Sequence, residues 1–208
     1  MHSTSIRVQE TGTPSGNTIP TGDSSSAERL GPVADVVRRT YFGDCAELAS
    51  RFGVSLEDVF DHCEVAFDLD LLDTPLLRRA AADRIAAHLD DLILAIACIA
   101  DDSQAWFEFE SDLQLSLARM CELRVGEIEA SLQAARYLRS VRDRTRRLDP
   151  EFDDDGTPAL QEYTGLQPLR SFLGGPLFAM LQDLIRDGLV EAVRPGAEPE
   201  RRRLRLAD

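Results

Sequence analysis

Residues 177 to 193 read Leu177-Phe-Ala-Met-Leu-Gln-Asp-Leu-Ile-Arg-Asp-Gly188-Leu-Val-Glu-Ala-Val193, and the chain continues through Pro195-Gly-Ala-Glu-Pro199 to Arg201-Arg-Arg-Leu-Arg-Leu206. Leu177, Leu181 and Leu184 recur at helical spacing, and Gly188 falls where a helix commonly ends on a left-handed residue. Leu189 to Val193 is a short apolar run, and Arg202 to Leu206 alternates Arg with Leu. The alternation would put Arg203 and Arg205 on one face of a strand and Leu204 and Leu206 on the other. The stretch therefore predicts a helix, a strand, a loop and a returning strand.

That order resembles the recognition helix and wing of a winged-helix domain, and the resemblance covers only the last quarter of the chain. It implies a small C-terminal domain over 158–208. It implies no single function, because winged helices bind DNA, RNA or proteins. A helix that reads bases presents polar and basic side chains in its first turns, whereas this one opens Phe172-Leu-Gly-Gly-Pro-Leu177-Phe178. Leu177 and Phe178 are expected either to belong to the core or, if exposed, to form with Phe172 an apolar patch that faces a protein partner. Arg201, Arg202, Arg203 and Arg205 are expected to contact phosphate or an acidic partner.

A second resemblance lies at residues 46–60, Ala46-Glu-Leu-Ala-Ser-Arg-Phe-Gly53-Val-Ser-Leu-Glu-Asp-Val59-Phe, which is similar to a helix-turn-helix. Gly53 takes the turn, Val54 fills the gap, Ser55 caps and Val59 anchors the second helix. Glu57, Asp58, Asp61 and Glu64 line that second helix, and no Arg follows until Arg78. Carboxylates against phosphates repel, so the unit is expected to pack rather than to read DNA.

The rest of the chain reads as helical. Residues 1–31 are rich in Ser, Thr, Gly and Pro and are expected to form a disordered tail. Pro32 starts a short helix carrying Val33, Val36, Val37 and Tyr41 and stopping near Gly43, after which Asp44 is placed to cap the next. Thr74-Pro75 signals another start, and the periodicity predicts one helix from Leu76 to about Ala100. Ser103 or Asp102 is placed to cap the next start, and from Gln104 to Leu148 no Pro interrupts an apolar series that includes Trp106, Phe109, Leu113, Leu117, Ile128, Leu132, Leu138 and Val141. This predicts a long helix, continuous or bent at Gly126, forming an antiparallel hairpin with the helix before it and offering its free end to a partner through Leu132 and Leu138.

The far end of that helix carries Arg136, Arg139, Arg142, Arg144, Arg146 and Arg147. Cations there complement the negative helix terminus, and Arg136, Arg139, Arg142 and Arg146 are also candidates for phosphate or acidic-partner contacts. The fold class expected is mainly α: a tail at 1–31, an acidic helical domain at 32–149, an acidic linker at 150–157 and the winged-helix-like module at 158–208.

Composition narrows the function. All 23 basic residues are Arg, and the formal net charge is −14, which disfavours non-specific binding to a polyanion. Residues 156–208 carry seven acids and seven Arg and are neutral overall, so the acidity lies in the earlier part of the chain. The four cysteines, 45, 63, 98 and 121, sit in apolar helical contexts without a CxxC pair and predict reduced, buried thiols and a cytoplasmic protein. The most apolar run, Leu92 to Ala100, is too short for a membrane span, which needs roughly 20 apolar residues. No phosphate loop, GxSxG or HExxH motif occurs. Cys45, His62 and Cys63 lack a fourth ligand for zinc, so neither metal nor cofactor is expected.

These readings converge on a non-catalytic adaptor or regulator acting through protein contacts, as a homo-oligomer or as a subunit of a larger bacterial assembly such as a chromosome-organising or secretion-associated complex. The alternative is a DNA-binding transcription regulator that docks through the wing and dimerises through the long helix.

Overall fold

A computed structural model describes residues 26–66, 74–147 and 156–193. Among them the chain is mainly helical, with nine α-helices, one 3-10 turn and no strand. In order these are α1 (Ser26–Leu30), α2 (Pro32–Gly43), α3 (Ala46–Phe52), α4 (Leu56–Ala66), α5 (Pro75–Ala87), α6 (Leu89–Ile99), α7 (Ser103–Val125), α8 (Glu127–Arg146), the 3-10 turn Leu160–Glu162 and α9 (Leu169–Arg186).

The organising element is α6. Its Leu89, Leu92, Ile93, Ala95, Ile96, Ala97 and Cys98 are all buried, so it is apolar all round its middle and must be enclosed. α3, α4, α5, α7 and the 3-10 turn pack on it, and a single hydrophobic cluster runs from Leu30 to Val190. α9 contributes Leu169, Leu173, Leu177 and Leu181 to the same cluster. The described part of the C-terminal module thus shares the core of the helical domain.

Several starts and stops follow their sequence signals. Thr74 accepts the Leu77 N–H at 3.2 Å and Pro75 opens α5. Asp102 accepts the Ala105 N–H at 2.7 Å and opens α7. The helix-turn-helix-like unit is formed by α3 and α4, with Gly53 left-handed at φ 65°, Val54 and Val59 buried, and the Tyr41 hydroxyl donating to the Val54 carbonyl at 2.7 Å. Ser55 and Asp58 exchange hydrogen bonds as a capping pair at the head of α4.

Other expectations need correcting. Residues 26–31, assigned to the tail, include α1, whose Leu30 is 2% exposed and enters the core. Asp44 ends α2, and α3 starts after Cys45 with no side-chain cap. The helix expected from Leu76 to Ala100 breaks at His88, where φ is −130°, and α6 begins with Asp90 and Asp91 in its first turn, a placement the helix dipole favours.

The largest correction concerns the long helix. Gly126 sits at φ 83°, a positive-φ conformation that glycine adopts without penalty, and the chain reverses there completely. The hairpin therefore lies between α7 and α8, not between the long helix and its predecessor. Glu110 and Arg142 face each other across it, sixteen residues on either side of Gly126. No free end projects, because the C-terminal end of α8 is pinned at buried Thr145. Its hydroxyl accepts the Leu160 N–H at 3.1 Å, and Gln161 donates to its carbonyl at 2.8 Å.

Leu189–Val193, expected as a strand, has no ladder partner. The helix ends at Arg186, Gly188 is left-handed at φ 71°, and the Val193 N–H donates to the Arg124 carbonyl at the end of α7 at 2.7 Å. A wing needs strands, and the described residues contain none; the returning strand expected at 202–206 lies outside them.

Candidate interaction surface

The α7–α8 hairpin turns one face to the core and the other to solvent. Buried Trp106, Phe109, Leu113, Leu117 and Cys121 of α7 and Ala130, Ala134, Tyr137, Leu138 and Val141 of α8 form the inner face at three-four spacing. The outer face carries large apolar side chains as well: Phe107, Leu115 and Leu123 on α7, and Ile128 and Leu132 on α8. Leu123 is 90% exposed and Ile128 87%, values at which burial contributes nothing to holding the fold. Small Ser111, Ala118 and Ser131 leave an open groove of about 340 Å³ along the seam, with Leu115 at its rim.

The residues expected to bind a partner divide accordingly. Leu132, 40% exposed, lies on the outer face of α8. Leu138 and Leu177 belong to the core, at 1% and 0% exposure, because their helices pack on that side. Phe172 is half-buried with its ring 5.3 Å from that of Tyr163, and half-buried Phe178 lies 4.9 Å beneath the Arg124 guanidinium. Both phenylalanines are occupied within the fold.

The arginine run of α8 is likewise split. Arg142 pairs with Glu110 at 3.1 Å and stacks over the Trp106 ring, and Arg146 pairs with Asp101. These two are ties between α8 and the start of α7. Arg136 and Arg139 are exposed, and Arg139 bonds only its own helix, through the Ala135 carbonyl at 3.3 Å. Arg201, Arg202, Arg203 and Arg205 lie outside the described residues.

The helix-turn-helix-like unit has its outer face partly occupied. Asp61 accepts a hydrogen bond from the Ser26 hydroxyl at 2.6 Å, and Glu64 pairs with Arg29 at 2.6 Å, so the carboxylates of α4 hold α1.

A second polar group straps residues 157–169 to the body. His62 on α4 meets the Tyr163 carbonyl at 2.7 Å, which a neutral ring satisfies by donating from Nε2. The Tyr163 hydroxyl donates to the Gln167 carbonyl at 2.7 Å, and Asp91 accepts the Leu169 N–H at 2.8 Å where α9 begins. Burial pushes the His62 pKa down, against the opposing pull of the carbonyl. Burial raises that of Asp91, with the Leu169 N–H opposing.

The thiols are equally committed. All four cysteines are unpaired and buried; burial raises the pKa of each, Cys63 to about 12, so none is an activated nucleophile. Cys45 and Cys63 are buried apart from solvent while His62 is engaged with Tyr163. Among the described residues no group of three or more His, Cys, Asp or Glu is placed to hold a metal ion, and no helix is long and apolar enough to cross a membrane. Compared with models of protein families, with curated proteins and with solved structures, the chain shows no match.

Apart from Leu132, the exposed apolar positions escaped sequence reading, because residues such as Ile128 share the three-four spacing that also marks a core face. The chain reversal at Gly126 decides which of them are inside.

Proposed function

We propose that this protein is a non-catalytic adaptor or regulatory subunit that works through protein contacts, with the outer face of the α7–α8 hairpin as its contact surface. One observation carries the reading: Phe107, Leu115, Leu123, Ile128 and Leu132 stand exposed on one supersecondary unit. Large apolar side chains grouped at a surface reduce solubility and are a mark of interaction sites. The state of the titratable groups supports it, since His62, Asp91 and the thiols are spent on packing or on holding the 157–169 strap.

The test is capture of partners from the native cell by the intact protein, by Ile128→Asp and by Leu132→Asp, each with and without nuclease. The reading expects nuclease-resistant partners that both variants lose while remaining folded by circular dichroism. Recovery that depends on nucleic acid, or that ignores both substitutions, would sink it.

A further inference from the structure

We propose that the occupant of the α8 outer face is a second copy of this chain, packed antiparallel about a two-fold axis that passes between Leu132 and Gln133. The proposal rests on the reading of the hairpin as a contact surface and gives that surface a partner.

Register singles out this pairing. Seen from solvent, the outer face of α8 has Leu132 near its midline, Ile128, Ala135 and Arg139 along one flank, and Glu129 and Arg136 along the other. Glu129 and Arg136 are seven residues apart, two turns or about 10 Å along the axis, so they share a flank without pairing within one helix. Arg136 has no ion pair among the described residues, and Glu129 is held only by a neutral group, the Gln133 amide, at 2.6 Å.

Two helices related by a two-fold axis perpendicular to them meet flank to flank, each position opposite its mirror in register. An axis between Leu132 and Gln133 therefore sets Glu129 of each copy beside Arg136 of the other, two opposite-charge pairs from one symmetry operation. On the other flank the same axis lays Ile128 over Ala135 and the aliphatic stem of Arg139, and on the midline Leu132 meets Leu132. The apolar and charged complements thus close at one register. A parallel two-fold pairing would bring opposite flanks together, setting Glu129 against the partner's apolar Ile128 and Arg136 beside the partner's Arg139, with no opposite-charge pair. The groove lined by Leu115 and Ser131 runs beside the Ile128 flank.

The symmetry supplies its own test. Charge reversal at either position alone, Glu129→Arg or Arg136→Glu, creates two like-charge pairs in the homodimer and should weaken self-association by about tenfold or more. When the two variants are mixed, the heterodimer brings the two introduced side chains face to face as a pair of opposite charge. Its second pair joins the native Arg136 of the first variant to the native Glu129 of the second. Both pairs attract, so dimer mass should return. Leu132→Asp should give a monomer that no mixing rescues. Sedimentation at low salt and tens of micromolar protein, with circular dichroism to confirm that each variant is folded, reads all of these.

A parent protein monomeric at the highest concentration, a dimer indifferent to the single reversals, or a mixture that stays monomeric each overturns the two-fold pairing. A monomer that still captures a partner lost on Ile128→Asp leaves the adaptor reading standing with a different occupant. A monomer that captures nothing through α8 removes both.

Discussion

Removing α1 should unfold this protein more readily, although its five residues lie in a stretch whose composition suggests a dispensable tail. Leu30 is 2% exposed, and deleting a buried leucine side chain costs about 2–5 kcal/mol. The Arg29–Glu64 pair adds little, because Arg29 is 47% exposed and such pairs contribute about 0–1 kcal/mol in water. Losing the helix, with half-buried Ala27 and the Ser26–Asp61 bond, sums to roughly 3–5 kcal/mol. For a chain of this size each kcal/mol moves the thermal midpoint by about 2–4 °C, so truncation through residue 31 should lower it by roughly 6–20 °C. Truncation through residue 25 should leave it unchanged, and Leu30→Ala alone should reproduce most of the longer truncation. Scanning calorimetry of the three variants measures this directly. If truncation through residue 31 shifts the midpoint by less than about 2 °C, the packing assigned to Leu30 does not exist.

Gly126→Ala should destabilise by about 1–3 kcal/mol through its positive-φ, extended-ψ backbone, a region essentially only glycine occupies. An added Cβ would meet Val193 at an ordinary 3.7 Å, so an unchanged urea midpoint would show that φ there is not positive. His62 has a folded pKa below its ordinary 6.5, so the unfolded chain takes up the proton first as pH falls. The stability it contributes is complete above 6.5 and is lost as pH drops from there through the lower folded value; His62→Gln, which can still donate to Tyr163, should flatten that part of the pH profile. Equal slopes in parent and variant would count against a buried neutral imidazole. Finally, at pH 8 the native protein should leave all four thiols unreacted with a thiol reagent for as long as it stays folded, and all four should react in guanidinium. Rapid native labelling of even one would contradict its burial.

Much of the fold was legible where a residue has a single conformational use. Thr74-Pro75, Asp102, Gly53 and the capping pair at Ser55 mark helix ends through backbone chemistry that acts within four residues. The break at His88 carried no such mark, since neither Gly nor Pro stands there and the apolar spacing runs through it. Gly126 signalled a bend, but spacing cannot distinguish a bend from a full reversal, because both halves keep the same period. α1 was hidden by its Ser-rich context, and its burial depends on Asp61 and Glu64, thirty-five residues away. The candidate surface was legible only at Leu132. Leu138 and Leu177 look the same in sequence and point inward, and Arg142 and Arg146 find their acids across a turn whose sharpness the sequence did not reveal.

The one-residue turn at Gly126 also bears on the order in which the chain assembles. Contacts between α7 and α8 close short loops, thirty-two residues for Glu110 with Arg142, whereas His62 and Tyr163 are 101 residues apart and Asp91 and Leu169 are 78 apart. Closing a longer loop removes more chain entropy before any contact offsets it, so the hairpin can form as a local unit while the strap must wait for the body beneath it. Segment 157–169 buries Leu160 and Tyr163 but has only a three-residue 3-10 turn of its own, so its amides outside that turn should exchange with solvent before those of α7, which are held in a continuous 23-residue helix.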